Sequence, residues 1–585
     1  MFNAFPFNRA PFNARIISAD GPSPNEPITV APPAPPGESV PVSGYAYRWW
    51  VSVLLGGQQV AGRLTGRMEI DREEGAAGVA TFALYYPPGA EVPTSVGGAV
   101  TIDFISETGG VTVTSRRYTG ASVEPRWDAV NRVLEITCSD RLQQRVEALT
   151  LEQIDDLVGG FWSADVFEAT DGRSRWDYAG ERLGTIPASL DAGPDGALRV
   201  TSWFATAPSW VFAAGSAIYQ SVSVELAQAQ RATNRVELEV GYRYSRLWQR
   251  NDSYSWSHPG MGGSGGLQGF CNWRPQSSDL PDAAMCEQAC TGAGMKLLGQ
   301  VGGTPLPPSN PDPCGNGQPW INRNSGLMLT ANWTGGRRWV QPITEKYKFI
   351  IATVDGMQAG DDQVVSRQSS SFEIEDARSD SWESDDFKGG QPGVTDLRDD
   401  SRRAAALLCN LNQAVTTVIG AHRGTTVSQQ LPTPMAVGPD LVHTVEFADQ
   451  IRARGKVRRI VDEYDFDAGS AVTTISIALM RGGNGASDPL TLPPPPQVEA
   501  GQASFAHGLL TQLGMRNESP TYDDEKDGFA GNWDDRDDDI NPNLEEFPRR
   551  MTITAPEIAA EYRDEKSVEV EVTYQVGIPD DLLEL

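Results

Sequence analysis

Residues 234–247 read NRVELEVGYRYSRL. Val236, Leu238, Val240 and Tyr242 alternate with Glu237, Glu239, Gly241 and Arg243. A period of two puts the first set on one face of a β-strand and the second on the other, so one face is buried. Similar runs recur along the chain. Tyr47 to Leu55 is aromatic and β-branched, and Gly56–Gly57 ends it as a hairpin turn does. Val60 to Ile70, Val79 to Tyr86, Ala99 to Ser106, Gly110 to Tyr118 and Val133 to Cys138 follow, with a second turn signal at Gly75 to Gly78. Short strands separated by turns predict a closed barrel or a sandwich. Further strand runs lie at Val222 to Leu226, Tyr347 to Val354, Val437 to Phe447, Val457 to Arg481 and Ser567 to Val576.

Two stretches read as helices. Gln143 to Leu157 places Val146, Leu149, Ile154 and Leu157 on one face. Ser401 to His422 follows the N-cap carboxylates of Asp399 and Asp400 and carries an apolar face of Leu407, Leu411, Ala414, Val415 and Val418.

Composition divides the chain further. Residues 1–44 form an arm: Phe2, Phe5, Phe7 and Phe12, then seven prolines within Pro22 to Pro36, which favour extended chain. So many aromatics are more than a solvated tail needs, and they point to docking on a neighbouring subunit. Residues 45–150 form a first β-barrel domain, and 151–214 a mixed connecting region containing Trp162, Trp176, Trp203 and Trp210. Residues 215–250 and 345–485, with the helix 401–422, form a second β-barrel domain. It is interrupted by a Gly/Pro/Cys-rich insertion at 251–344. A Pro-rich linker at 486–500 leads to an acidic C-terminal region, 501–585, that ends in a strand. The fold class is mainly β with some α.

The 585 residues carry 48 Lys and Arg against 77 Asp and Glu, a net charge of −29. Binding to the DNA backbone draws its affinity from a basic surface that displaces counterions. This balance does not offer one. No run approaches the ~20 apolar residues of a spanning helix, and the start lacks the pattern of a secretory signal. Synthesis and assembly in a cytoplasm are expected.

Little points to catalysis. His258, His422, His443 and His507 are scattered, and no zinc-protease, serine-hydrolase, phosphate-loop or dinucleotide motif is present. Cys271, Cys286, Cys290 and Cys314 fall within one stretch too poor in apolar residues to build its own core. They admit three chemistries: two disulfides, a four-thiolate zinc or iron–sulfur site, or free thiols. No other cofactor is expected. Cys138 and Cys409 sit among apolar residues as small buried hydrophobes. Asp523, Glu525, Asp527 and Asp534, with Gly528 between, match the spacing of a calcium loop, although a bidentate Glu is missing at the last position. The bland alternative is a solvated acidic loop.

Two stretches carry a family resemblance. They are SVEPRWDAVNRVLEITCSDRLQQR (122–145) and GKVRRIVDEYDFDAGSAVTTISIALMRG (455–482). Together they resemble the central tail-hub proteins of tailed bacteriophages. Thr137, Cys138, Asp140 and Arg141 match a strand-to-helix turn of that family. Gly455, Val457, Asp465, Gly469, Ala471 and Thr473 match a later hairpin, and residues 234–247 look like the strand opening the second barrel. The resemblance covers roughly residues 45–250 and 345–485. It implies two tail-tube-like barrels per subunit in a homotrimer within the virion. There it would join a six-fold tail tube or distal tail protein above to three-fold tip or fibre proteins below. DNA would pass the lumen without specific binding, and an acidic lumen would avoid sticking. No catalytic residues are implied. A receptor- or carbohydrate-binding tip protein, which the 15 tryptophans would suit, and a virion-associated wall hydrolase are the alternatives.

Overall fold

The computed structural model describes residues 39–40, 47–92, 97–227, 232–258, 280–306, 326–358, 365–387, 390–512, 525–531 and 549–585. Of the N-terminal arm, only Ser39–Val40 falls within them.

The first β unit is antiparallel, in the order Tyr47–Leu55, Ala99–Thr108, Val111–Asp128, Val133–Ser139, Val79–Tyr85 and Leu64–Glu73. Alternate residues of the strands point inward, except where Val111–Asp128 bulges. Val51, Ile70, Phe82, Ile102, Phe104 and Ile136 fill one core. Both end strands feed that core, so the sheet curls around it. Among the described residues, however, no ladder joins Tyr47–Leu55 to Leu64–Glu73. The unit is the curled, tube-like β domain expected for residues 45–150, with its ladder open between those two strands.

Leu64–Glu73 pairs instead with Arg452–Asp465, nearly four hundred residues away. That strand continues into a second curled unit with Ser470–Leu479, Thr425–Pro432, Thr444–Ala448 and Trp210–Ala213. Its core includes Phe212, Val427, Phe447, Val457 and Ile475. The two curls form one 15-stranded sheet, hinged on Arg452–Asp465. Ser39–Val40 adds a short parallel strand beside Val211–Phe212.

A second large sheet grows from a long hairpin. Arg235–Ser257 (23 residues) pairs along its whole length with Met328–Ala352 (25 residues). At about 3.3 Å per residue each strand is roughly 75 Å long. Its base packs on the helix Asp400–Ala421 through Val240, Tyr242, Tyr347, Leu407 and Leu411. The helix is long and apolar enough to cross a membrane by composition, but its apolar face is spent on this core. Asp399 caps it by accepting from the N–H groups of Ser401 and Arg402. The far end of the hairpin holds a separate core with Trp256, Cys286, Cys290, Leu329 and Phe529.

This architecture redraws the domain boundaries. The range 215–250 with 345–485 is shared between two sheets, because Arg235–Ser257 forms the long hairpin whereas Ser223–Glu225 and the strands from Thr425 to Leu479 join the curled sheet. The insertion edges at 250/251 and 344/345 fall inside continuous strands. The C-terminal region is built in: Ser504–Leu509 and Lys566–Gln575 add parallel strands to the hairpin. The helix expected over 143–157 is two helices, Leu142–Glu147 and Leu151–Val158. Thr150 accepts from the Gln153 N–H while the Gln153 side chain accepts from the Thr150 N–H, and this reciprocal cap starts a new helix.

The chain's last residues strap the two sheets together. Ile578 sits in the hairpin core, and Leu583–Glu584 pairs with Arg452–Ala453. Between them the Asp581 carboxylate accepts from the Met480 N–H at 2.8 Å. Burial raises its pKa to about 6, against the opposing pull of Arg454 and Arg423. A carboxyl raised in the folded state adds stability below its unfolded value near 3.8, and that stability is lost as pH rises through 6. The strap is therefore predicted to hold more tightly at pH 5 than at pH 7.5. Hydrogen exchange at Met480, corrected for intrinsic rates, should show this, and Asp581→Asn should abolish the difference.

Candidate assembly site

The seam between the curled units is charged and buried. Between Ile102 and Asp103 the ladder to Val111–Asp128 shifts register, and Arg117 is the extra residue. A bulge re-aims its side chain, and here Arg117 turns inward to Asp462 on the hinge strand. Its guanidinium donates to both carboxylate oxygens at 2.9 and 2.7 Å. Thr473 donates to the same carboxylate at 2.6 Å, and Arg117 also reaches the Val437 carbonyl at 3.2 Å. Both charged side chains are essentially inaccessible. Burial alone would lower the Arg117 pKa, but Asp462 beside it holds it above the ordinary arginine range.

A second cluster lies nearby. Asp440 accepts from Arg72 and Arg199, each at 2.6 Å, and Arg199 also donates to Asp191 at 2.7 Å. Burial pushes the Asp440 carboxyl up, but these two guanidinium groups outweigh it and hold its pKa well below the usual carboxylate range. Arg423 meets Glu74 at 2.6 Å, and burial lowers the Lys456 pKa to about 8. These groups come from the first curl, the connecting region and the second curl, so the network joins all three. It is a weld in which Arg117, Arg72, Arg199 and Arg423 each face a carboxylate, while Lys456 donates to the Leu441 carbonyl.

The outer end of the first curl is unfinished. In an antiparallel ladder alternate residues turn their N–H and C=O to the same side. On strand Tyr47–Leu55, the Val53 N–H donates to the Gln59 side chain and its carbonyl accepts from Val60. By alternation Tyr47, Trp49 and Val51 face that same side. Among the described residues no strand pairs with them there. On the inner face of this edge, Tyr47, Thr108 and Val111 stand in register across three strands, and Trp49, Ser106 and Val113 form the next row. Tyr47, Val111 and Val113 are exposed. Of the large hydrophobics exposed among the described residues, most lie between Tyr47 and Val130, which concentrates unsatisfied apolar surface on this unit.

The residues singled out from sequence are dispersed. Cys286 and Cys290 lie one turn apart on the helix Ala283–Gly292, buried as free thiols in the hairpin's far core. Cys271 and Cys314 lie outside the described residues. Of the calcium-like set, Asp523 and Asp534 lie outside the described residues. Glu525 and Asp527 lie at the start of the short ladder of Gly528–Ala530 with Arg550–Thr552, where Asp527 accepts from Thr554 at 2.9 Å. Among the described residues no group of three or more His, Cys, Asp or Glu is arranged to hold a metal ion. The histidines stay apart: His422 bonds Val418 and Asn234, His443 accepts from the Asp440 N–H, His507 meets Asp252, and burial lowers the His258 pKa to about 4. Trp50 and Trp127 are exposed, whereas Trp162, Trp176, Trp203 and Trp210 of the connecting region are partly buried.

The resemblance motifs have structural work. Asp140 accepts from the N–H groups of Gly78 and Leu142, tying the strand end to the helix that follows. Gly455 packs so closely that a Cβ there would lie 2.5 Å from the Ala478 carbonyl oxygen. Thr473 is the residue that bonds Asp462. Sequence reasoning missed Arg117, Asp462 and the Asp440 cluster. The one available signal was a run of Arg and Asp inside strand-like sequence, which solvated strands also show.

No protein-family model and no curated protein matches the chain. Solved structures that it resembles include the tail protein from Neisseria meningitidis MC58. It is 10% identical, with a TM-score of 0.36, covering 74% of this chain and 96% of that one. The 43 kDa tail protein of prophage MuSo2 from Shewanella oneidensis is 9% identical, with a TM-score of 0.34 and coverage of 73% and 97%. Prophage tail protein gp18 from Listeria monocytogenes EGD-e is 7% identical, with a TM-score of 0.31 and coverage of 73% and 94%.

Two outcomes follow from this geometry. Arg117→Ala leaves Asp462 charged and buried without its partner, and such losses cost about 3–5 kcal/mol; denaturant unfolding should show that drop. Burial raises the thiol pKa of Cys286 to about 12 and of Cys290 to about 11. With so little thiolate, neither should react with iodoacetamide at pH 8 until the protein unfolds, as peptide mass mapping would show.

Proposed function

We propose that this chain is a structural protein of a bacteriophage tail: the trimeric hub at the distal end, joining a six-fold tube to a three-fold tip and lining the DNA exit channel. The observation that carries it is the pair of curled β units, open at one edge and fused through the single strand Arg452–Asp465. One chain thus presents two similar curved sheets in a fixed relation, and three chains present six. Both stretches that resemble tail hubs lie in this one sheet, two strands apart. The open edge and the exposed apolar residues near it are what an assembling subunit needs.

In this role the charges act by their sum. A chain with a net charge of −29 repels DNA, which favours passage over adhesion. Neighbours above and below would be tail-tube and tip proteins, with assembly in the bacterial cytoplasm and a final place in the virion. The protein works by shape and has no catalytic step.

Light scattering on the purified chain tests this. A mass about three times 63.3 kDa is expected. A dimer that persists on dilution would contradict the hub and favour a receptor-binding tip protein.

A further inference from the structure

At its base the long hairpin belongs to a four-stranded sheet with two open edges. Lys566–Gln575 flanks Met328–Ala352, and Val365–Glu373 flanks Arg235–Ser257. Among the described residues no further strand pairs with either. Backbone bonds show which residues point outward. The Val576 N–H donates to Ala352, whereas the Gln575 N–H donates to Asp488 on the other side. By alternation Glu569, Glu571 and Thr573 turn their N–H and C=O groups away from the sheet. The Ile374 N–H donates to Arg243, so Arg367, Ser369 and Ser371 do the same at the opposite edge. Such edges are templates for another strand unless a proline or a bulge blunts them. Neither strand contains a proline, and neither ladder shifts register.

The outward-pointing residues also share one face, the one turned away from the helix Asp400–Ala421. On it charge alternates from strand to strand. Glu569 and Glu571 lie beside Lys346 and Lys348, Glu237 and Glu239 come next, and Arg367 follows on the last strand. Lys348 meets Glu569 at 2.9 Å, and Arg367 meets Glu237 at 2.9 Å. Continued past Arg367, the pattern calls for acids, and the opposite edge of the same sheet presents them. On the other face Val568, Val570 and Val572 are only partly buried, at the margin of a core that a neighbouring strand would cover.

Strand direction agrees. Each edge strand runs parallel to the hairpin strand it flanks, and the two hairpin strands are antiparallel. Two copies set side by side in one orientation therefore bring unlike edges together antiparallel. We propose that Val365–Glu373 of one copy pairs with Lys566–Gln575 of a second, placing Arg367 beside Glu569 and Glu571 of that copy. The contact is head-to-tail, so it closes into a ring or runs on as a filament. Only closure at three rests on the hub reading.

Charge reversal in the full chain tests this, with self-association followed by light scattering on dilution. Arg367→Glu should weaken association at least tenfold, as should Glu569→Arg with Glu571→Arg. All three changes in one chain should restore it. Within a chain Arg367 and Glu571 are three strand spacings apart, about 14 Å, so repair between them must come from another copy. Ser369→Pro removes an outward N–H while leaving the ladder to Arg235–Ser257 intact, and should also weaken association. Thermal unfolding of each variant is compared first. A trimer indifferent to every change overturns the edge pairing and leaves the hub. Losses that the triple change fails to repair overturn it too, as does a wild-type chain that stays monomeric on concentration. Assembly that obeys the reversals but closes at two, or does not close, supports the edge pairing and removes the hub.

Discussion

Arg117 and Asp462 are buried together, and neither charge could be buried alone. Moving an ion out of water costs several kcal/mol even after relaxation, so a half-formed pair is worse than none. The bidentate geometry, the Thr473 hydroxyl and the Val437 carbonyl meet most of what the two groups need. The pair forms only when Val111–Asp128 of the first curl and Arg452–Asp465 of the second lie in one relative position. The bulge at Arg117 and the register of Arg452–Asp465 against Leu64–Glu73 are therefore coupled. The Asp440 cluster extends the same constraint to the connecting region through Arg199 and Asp191.

From that weld the rest follows. With the first curl fixed to the second, the edge of Tyr47–Leu55 is carried outward, without a partner strand among the described residues. The long hairpin stands on the helix Asp400–Ala421 and holds a second core at its far end. Between the two cores its middle is a polar and aromatic belt. Trp248 and Trp339 stack at 5.5 Å, the Trp248 indole donates to Gln341 at 2.9 Å, and Arg246 pairs with Asp396 at 2.6 Å. The same belt binds the later chain, because Arg246 also bonds the Val498 and Glu499 carbonyls and Trp339 bonds that of Tyr562. The linker at 486–500 thus runs along the body, pinned by the hairpin's own side chains.

What the sequence disclosed was local. Alternation at Val236 to Tyr242, the Gly56–Gly57 turn and the Asp399 cap depend on neighbours in the chain, and each appears in the structure where the residues place it. What it hid was non-local. Nothing in Leu64–Glu73 shows that its partner is Arg452–Asp465, and both edges of the proposed insertion fell inside strands. Composition changes at residue 251, but backbone pairing does not. The helix break at Thr150 was legible, since Thr150 and Gln153 have capping-box spacing; the apolar periodicity across it concealed the stop. Of the candidate site, the aromatic strand Tyr47 to Leu55 was visible as a strand. Its open edge was not, because an unpaired edge shows itself only once every other pairing is known.

The most direct test of the account is an image of the assembled protein. Class averages by electron microscopy should show a three-fold ring viewed down its axis, with six β lobes around the bore in two alternating kinds, one for each curl. A ring with two-fold symmetry, or three lobes with the second curl turned away from the bore, would contradict it.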